Sequence, residues 1–502
     1  MKFTRCFMLI LIALFVSVSI HSKANAYFFD EDKTLEMKGK VQMRASWRTA
    51  DPVGFDTIPG AGGVPKGNLV QQRNIALIEL NHILSRQTDT APDVKYHIVG
   101  RFLYEGVYDY GPQEFKNVRA ANQDVIDRFK KDGDLWEAYI DYGKGAGFLR
   151  VGRQNLSWGE TDIFQLLDRI NPIDNTFGGS FEDLDDRRIP IWMVRGTYNL
   201  GRVGPISSLT LEGFFNPGFT NQKVAPVAPY GTPYAYPLPP PSWNPPLVIH
   251  KLEETLDNSR AGVRIQGVLS DNFNIALAHY NTIGDSPAYI ITFDPTRPAT
   301  NIVQQDMIYR TEQITGASLN FFESHLDGVI RAEVAWFWNE PVFIPAINAP
   351  ILFGNFASGT IPDKQVLRYM VGFDKNFWFR LINDKSMINF FLQYFAEYYP
   401  DYDERQKLAL PRWPTGEFVY QPRYDQKITL IAYTSYMEGK LSPQLAVAYD
   451  PRGALMYIPS LEYAFDPWRL KVAYYGICGA DDVSVGIMHD REQASVMLSL
   501  LF

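Results

Sequence analysis

Ala494-Ser495-Val496-Met497-Leu498-Ser499-Leu500-Leu501-Phe502, at the end of a 502-residue chain, is the stretch whose reading decides the fold. Ala494, Val496, Leu498, Leu500 and Phe502 share one face of a strand; Ser495 and Ser499 point the other way, with Met497 between them and Leu501 beyond. A period of two with an apolar side and a polar side suits a strand between lipid and an aqueous interior. It also suits an edge strand of a soluble protein, so the remaining sequence has to choose.

The two-faced pattern recurs. Val41, Met43, Ala45 and Trp47 oppose Lys40, Gln42, Arg44, Ser46 and Arg48. Val94–Glu105 sets Tyr96, Ile98, Phe102 and Tyr104 against Lys95, His97 and Arg101, and Ser259–Ser270 sets Ala261, Val263, Ile265 and Leu269 against Arg260, Arg264 and Gln266. Val329–Trp338, Ile388–Tyr398 and Ile428–Met437 repeat it. The buried faces of a soluble sandwich rarely back onto strands carrying two or three charges each.

Connections alternate between short and long. Short ones centre on Lys144, Pro205, Asp271, His325, Gly439 and Asp466, with somewhat longer links near Pro92 and Asn383. Long ones include Thr49–Gln71, Gly106–Gly133, Asn155–Pro190, Asn216–Asn258, Thr282–Met307, Asn339–Lys364 and Tyr399–Tyr424; only Asp450–Gly453 is tight on that side. This is the layout of an all-β, up-and-down antiparallel transmembrane β-barrel with long outer loops and both termini periplasmic. About eighteen strands are predicted, sixteen if Leu135–Tyr142 is not one. Asn216–Asn258, with Pro239-Pro240-Pro241 and Pro245-Pro246, is predicted to be neither strand nor helix and to form a stiff extracellular cap.

The N-terminus has the pattern of an export signal: basic Lys2 and Arg5, an apolar run Phe7–Ile20 and the small-residue site Ala24-Asn25-Ala26. The run is short for a membrane-spanning helix, so cleavage after Ala26 is expected, leaving 27–502 as one barrel. Cys6 precedes the run, which argues against a lipoprotein. Loss of Lys2, Arg5 and Lys23 takes the formal charge from −8 to about −11, and an acidic chain is a poor partner for nucleic acid. Cys478 then stands alone, which excludes an intramolecular disulfide or a cysteine-rich metal site. Aromatic residues make up 14%, many at strand ends, where membrane-interface girdles need them.

Asn155–Pro190 differs from the other long loops. Ile163, Leu166, Leu167 and Ile170 recur at helical spacing and predict a short amphipathic helix stopped by Asn171-Pro172. A charged run follows, Glu182-Asp183-Leu184-Asp185-Asp186-Arg187-Arg188. So short a helix needs a surface to pack on, which the inside of a barrel supplies. An inward fold would make Arg153, Glu160, Glu182, Asp183, Asp185, Asp186, Arg187 and Arg188 a pore constriction. The competing reading is that these charges only pin the loop to the wall. Lumen-facing strand residues are of mixed sign (Lys40, Arg44, Arg101, Arg260, Arg264, Arg331 and Arg368 against Glu137, Glu212, Glu333, Asp374 and Glu397), so ion preference stays open.

Gly152-Arg153-Gln154, Trp158-Gly159-Glu160 and Ile170-Asn171-Pro172 together resemble the signature of a domain-of-unknown-function family of Gram-negative outer-membrane β-barrels. The Gly-Arg-Gln piece is also similar to one in alginate-export porins, but their following arginine-rich stretch has no clear match here, so alginate is not carried over. The resemblance implies a barrel, the outer membrane and transport, without a substrate. The strand ending on Phe502 likewise resembles the C-terminal assembly signal of such barrels, which implies the barrel-assembly machinery as a partner.

Enzyme signatures are poor. His82, His97, His250, His279, His325 and His489 are scattered without metal-ligand spacing, and no Gly-x-Ser-x-Gly elbow or phosphate loop occurs. The acidic run lacks the glycine and spacing of an EF-hand loop. No cofactor and no enzymatic activity are expected. The reading favoured is a porin-like channel in outer-membrane lipid for passive or substrate-biased diffusion of small solutes. The competitors are a transporter of hydrophobic compounds and a barrel that sheathes or serves a lipoprotein or cytochrome; an outer-membrane hydrolase is weakest.

Overall fold

Alternating side chains make each strand two-faced, and the ladder of strands closes on itself. The computed structural model describes residues 26–51, 63–121, 123–174, 176, 184–219, 223, 228–229, 231–233, 247–250, 252–270, 272–284, 288–293, 302–342, 344–345, 359–404, 406, 410–412, 417–419, 421–480, 483 and 485–502. Eighteen antiparallel strands follow in chain order. They are β1 Leu35–Arg48, β2 Leu69–Ser85, β3 Asp93–Glu105, β4 Lys131–Lys144, β5 Gly147–Gln154 and β6 Ile191–Val203. Next come β7 Ile206–Asn216, β8 Arg260–Leu269, β9 Phe273–Ile283, β10 Thr311–Glu323, β11 Gly328–Pro341 and β12 Asp363–Phe377. The last are β13 Ile388–Tyr398, β14 Tyr424–Tyr433, β15 Leu441–Asp450, β16 Ala454–Phe465, β17 Trp468–Gly479 and β18 Gln493–Leu501. Each pairs with its sequence neighbour, and β18 returns to β1 from Arg48↔Gln493 to Lys40↔Leu501. Leu135–Tyr142 lies within β4, so the count is eighteen and not sixteen. Closure leaves no free edge among these eighteen strands.

The two faces are inverted relative to a soluble protein. On β1, Gln42, Ser46 and Arg48 are buried while Met43 and Trp47 are exposed; on β18, Ser495 and Ser499 are buried and Val496 is exposed. Ile98, Ile140, Val263, Leu277, Val371 and Val472 are likewise large, apolar and exposed on the outside. A belt of this kind needs lipid around it. No helix among the described residues is long and apolar enough to cross a membrane; the strands do so.

At the seam Phe502 exchanges backbone hydrogen bonds with Gly39, 2.6 and 3.0 Å long. Its ring occupies the space that a Cβ at residue 39 would need, so close approach requires glycine there. Short connections fall on one side at each predicted place and the long ones on the other, where Asp450–Gly453 is the tight exception already read from the sequence.

Long connections carry regular structure of their own. Gly106–Gly133 carries three short helices, α1 Val107–Tyr110, α2 Gln113–Ala121 and α3 Gln123–Phe129, whose Val107, Tyr108, Phe115 and Ile126 pack against Val64 and Val70. Asn216–Asn258 does contain regular structure: Leu247–His250 pairs in parallel with Ile302–Ile308, and Leu256–Asn258 forms a 3₁₀ turn. Val248 and Ile249 are β-branched, which suits a strand and outweighs the prolines upstream. The proline runs themselves and the export signal lie outside the described residues.

Candidate constriction site

The chain from Leu156 to Arg188 leaves β5, crosses the barrel and returns to β6. Its ends are tied together by Asn171, whose Oδ1 accepts from Leu156 N (2.8 Å) and whose Nδ2 donates to Gln154 O (3.1 Å) and Ile189 O (2.9 Å). Arg153 makes a bidentate pair with Asp134 (2.6 and 2.8 Å) and donates to Pro190 O (3.1 Å), fixing the exit as well. Gly152 has φ 140°, a backbone region closed to other residues, and a Cβ there would collide with Ala138 and Tyr139 of β4. The sequence pieces Gly152-Arg153-Gln154 and Ile170-Asn171-Pro172 therefore form one structural root.

Beyond that root the segment touches strands around the circumference. Trp158 Nε1 donates to Glu212 on β7 (3.1 Å), Arg260 on β8 to Ile170 O (3.1 Å), and Tyr280 on β9 to Leu167 O (2.7 Å). Asn320 on β10 donates to Glu160 Oε1 (3.0 Å), and Asp162 N donates to Gln393 on β13 (3.2 Å). On the far side Arg73 of β2 reaches Thr176 O (2.8 Å), Arg101 of β3 pairs with Asp174 (3.3 Å), and Lys40 of β1 stands 3.9 Å from Asp186. Only a segment inside a closed barrel can meet all of these strands.

Glu333 of β11 is the main acceptor: its Oε2 takes Glu160 N (2.5 Å) and its Oε1 takes Leu167 N (2.6 Å). Beside it Arg331 donates to Glu160 O (2.6 Å) and binds both oxygens of Asp162 (3.1 and 2.7 Å). Leu156, Trp158, Leu166, Leu167 and Ile170 pack on Phe214, Tyr280, Ile314, Phe337 and Phe395 of the wall. Burying each of these loop aliphatics is worth roughly 1.5–3 kcal/mol.

The helix predicted over Ile163–Ile170 does not form; the segment is a series of bends, and the loop's helical turn, α4, is Leu184–Arg187. The physical reason is the wall. Leu167 N, Leu167 O, Arg169 O and Ile170 O bond to Glu333, Tyr280, Thr282 and Arg260, so backbone groups that a helix would pair internally are satisfied by strands.

The predicted site residues separate into two groups. Arg153 is buried at the root, Glu160 is held between Asn320, Arg331 and Glu333, and Arg188 is buried in an ion pair with Asp168. Asp186 is half-buried near Lys40, and Arg187 lines two cavities. Glu182 and Asp183 lie outside the described residues, and Asp185 is described only as backbone of α4.

One cavity, of about 320 Å³, lies between Phe164, Arg169 and Arg187 of the loop and Arg368, Glu397 and Lys427 of the wall. The other, of about 130 Å³, lies between Asp162, Ile163, Leu184 and Arg187 and the lumenal residues of β14–β18 and β1. Asp162, Lys427 and Lys471 were missed by sequence reasoning as cavity residues. The alternation of β14 and β17 carries the signal for the two lysines, whereas nothing local distinguishes Asp162. Among the described residues no cluster of three metal-ligand side chains occurs.

Solved outer-membrane porins of similar fold are remote in sequence. Salmonella typhi OmpF, in complex with daunomycin, aligns with TM-score 0.39 and 11% identity over 93% of this chain and 97% of its own. Acinetobacter baumannii OccAB1 gives 0.46 and 11% over 96% and 98%, and opdK of Pseudomonas aeruginosa 0.44 and 8% over 95% and 100%. No curated protein matches the chain. The profile described as "Protein of unknown function (DUF1302)" matches residues 7–502, nearly the whole length, and the chain belongs to that family.

Proposed function

We propose that this barrel is an outer-membrane channel for passive or substrate-biased diffusion of small solutes, with residues 155–190 as its constriction. The observation that carries this reading is uneven filling. The loop packs on β7–β13 without filling the lumen: it leaves a cavity of about 320 Å³ against β11–β14 and another of about 130 Å³ towards β14–β18 and β1, whose wall residues include the small Ala446, Ser460, Ala473 and Ser495. A barrel that sheathes a partner has no use for a segment bonded across its own lumen. Arg153, Glu160 and Arg188 act as pins, and Asp186, Arg187 and the acidic residues Glu182, Asp183 and Asp185 would face permeating solute.

Single-channel recording in planar bilayers tests this. Asp174 N donates to Arg187 O (2.7 Å), so the chain on either side of 178–186 is already adjacent. Replacing Gly178–Asp186 by two glycines spares the Arg188–Asp168 pair and should raise conductance. Neutralising Asp183, Asp185 and Asp186 to Asn should move the reversal potential towards anions, because fixed negative charge leaves the narrowest point. Parent-like conductance in both folded variants would place the loop outside the permeation path.

A further inference from the structure

Gly196 of β6 and Gly213 of β7 are cross-strand partners on the lipid-facing side of the wall, in the row Leu149–Gly196–Gly213–Val263–His279. Neither has a positive φ, and a Cβ on either would meet nothing nearer than 3.5 Å. The fold therefore has room for a side chain at both, unlike Gly39 or Gly152, and glycine inside a strand costs stability. The pair opens a trough in the belt, in two connected parts of about 860 and 510 Å³ that share Leu149, Gly196, Gly213 and Val263.

The trough is apolar along its middle and polar at the long-loop end. Val194, Phe215 and Val263, all exposed, line the middle, and Tyr142, Tyr198 and Lys144 lie at the short-turn end. At the long-loop end stand Asp257, Asn281, Thr311 and Gln313, with His279 below them. Thr315 Oγ1 lies 2.8 Å from Trp338 Nε1, which donates to it, and 2.8 Å from His279 Nδ1. Among the described residues His279 Nε2 and the Gln313 side-chain amide have no partner, and polar groups left bare in a bilayer are costly. Both can serve hydroxyl groups as donor or acceptor. Asp257 is the formal charge in the lining at this end, Glu253 and Glu254 precede it, and Arg310, beside Thr311, is paired with Asp363 (3.0 Å). A phosphate head is poorly matched to such a rim.

We propose that the trough binds one lipid of the leaflet on the long-loop side, with an uncharged, hydroxyl-rich head. Its alkyl chain lies over Gly196 and Gly213, and its head hydrogen-bonds His279 and Gln313. Two neighbouring strands about 4.8 Å apart that lack side chains leave a slot for an alkyl chain, whereas a helix of a partner protein is about 10 Å across. The belt already stands in lipid, so the chain comes from the surrounding medium and the head decides which lipid stays.

Dodecyl maltoside carries both parts, dodecylphosphocholine puts the same chain on a phosphate head, and maltose lacks the chain. Native mass spectrometry of the purified barrel in a short polyoxyethylene detergent should show one dodecyl maltoside retained and no maltose. Half-saturation should come at a concentration about ten-fold below that of dodecylphosphocholine. Gly213→Leu puts a side chain into the trough and should raise the dodecyl maltoside value about ten-fold, with heat-modifiable migration unchanged. Gly196→Leu, on the neighbouring strand, should do the same and decides the matter if the first variant does not fold. Gln313→Leu should weaken dodecyl maltoside about five-fold and leave dodecylphosphocholine alone. Equal retention of the two detergents, or parent-like retention by the folded leucine variants, overturns the proposal. Preference for dodecylphosphocholine also overturns it and moves the head to Lys144 at the other end. A dimer that the leucine variants abolish overturns it in favour of a second copy of the chain.

Discussion

Glu333 satisfies two loop amides with one carboxylate, that of Leu167 buried and that of Glu160 part-buried. Glu333→Ala should leave both donors unpaired, at a cost of about 1–3 kcal/mol each. Glu333→Gln keeps one acceptor oxygen and should fall between Ala and the parent. The unfolding midpoint of the reconstituted barrel and the open-channel noise are the measurements. If Ala and Gln variants match the parent in both, apolar packing alone holds the loop. Alternation along β11 already marks Glu333 as lumenal, but its partner Leu167 stands 166 residues away, and no local pattern could join the two. A separation of 54 residues likewise hides the Trp158–Glu212 bond, although tryptophan beside a polar turn suggests that the indole N–H needs a buried acceptor.

Among the elements, strands were legible and loops only in part. A strand's period survives folding because wall and lipid impose it, so β3, β8 and β13 begin and end close to where alternation puts them, while β1 starts at Leu35, before the alternating run from Lys40. The spacing of Ile163, Leu166, Leu167 and Ile170 correctly marks side chains that bury together, yet their backbone is bent because lumenal groups replace internal hydrogen bonds. The β3–β4 connection, to which the sequence reading assigns only its length, folds as α1–α3. Its anchor is Asp109 of α1, which accepts from Tyr104 (2.7 Å), Lys130 (2.6 Å) and Arg119 (2.5 Å). Burial would raise the Asp109 carboxyl, but the Lys130 and Tyr104 hydrogen bonds and the Arg119 charge outweigh it and hold its pKa below the usual value. A depressed folded value adds stability above the unfolded pKa of about 3.9, lost as pH falls through the lower folded value. A spin label at Lys116→Cys, with Cys478→Ser, should therefore stay immobilised from pH 7 to about 4 and become mobile below that. Asp109→Asn should be mobile across the whole range; an immobile label there would assign the cap's order to the Tyr108–Phe115 contact instead.

At the scale of the whole molecule, the closed eighteen-strand barrel follows from a rule the sequence displays at every connection but Asp450–Gly453, long ones on one side and short ones on the other. The side of the lumen left open follows from no such rule. It depends on where large lumenal residues (Phe214, Tyr280, Phe337, Phe395) gather on β7–β13 and draw the loop towards them, and on the small ones of β15–β18 opposite. Each strand shows its own residues in the sequence; which strands face one another across the barrel emerges only on closure. The asymmetry makes a prediction that uses the period of two once more. Ala473 points into the cavity, and Val472, its neighbour on β17, points to lipid. Ala473→Phe puts a ring into the remaining passage and should cut single-channel conductance about twofold or more. Val472→Phe adds the same bulk to the outer face, where an aromatic side chain costs little, and should leave conductance at the parent level. Should the two variants conduct alike while both remain folded, solute would have to pass on the other side of the loop, between Phe164 and Arg368.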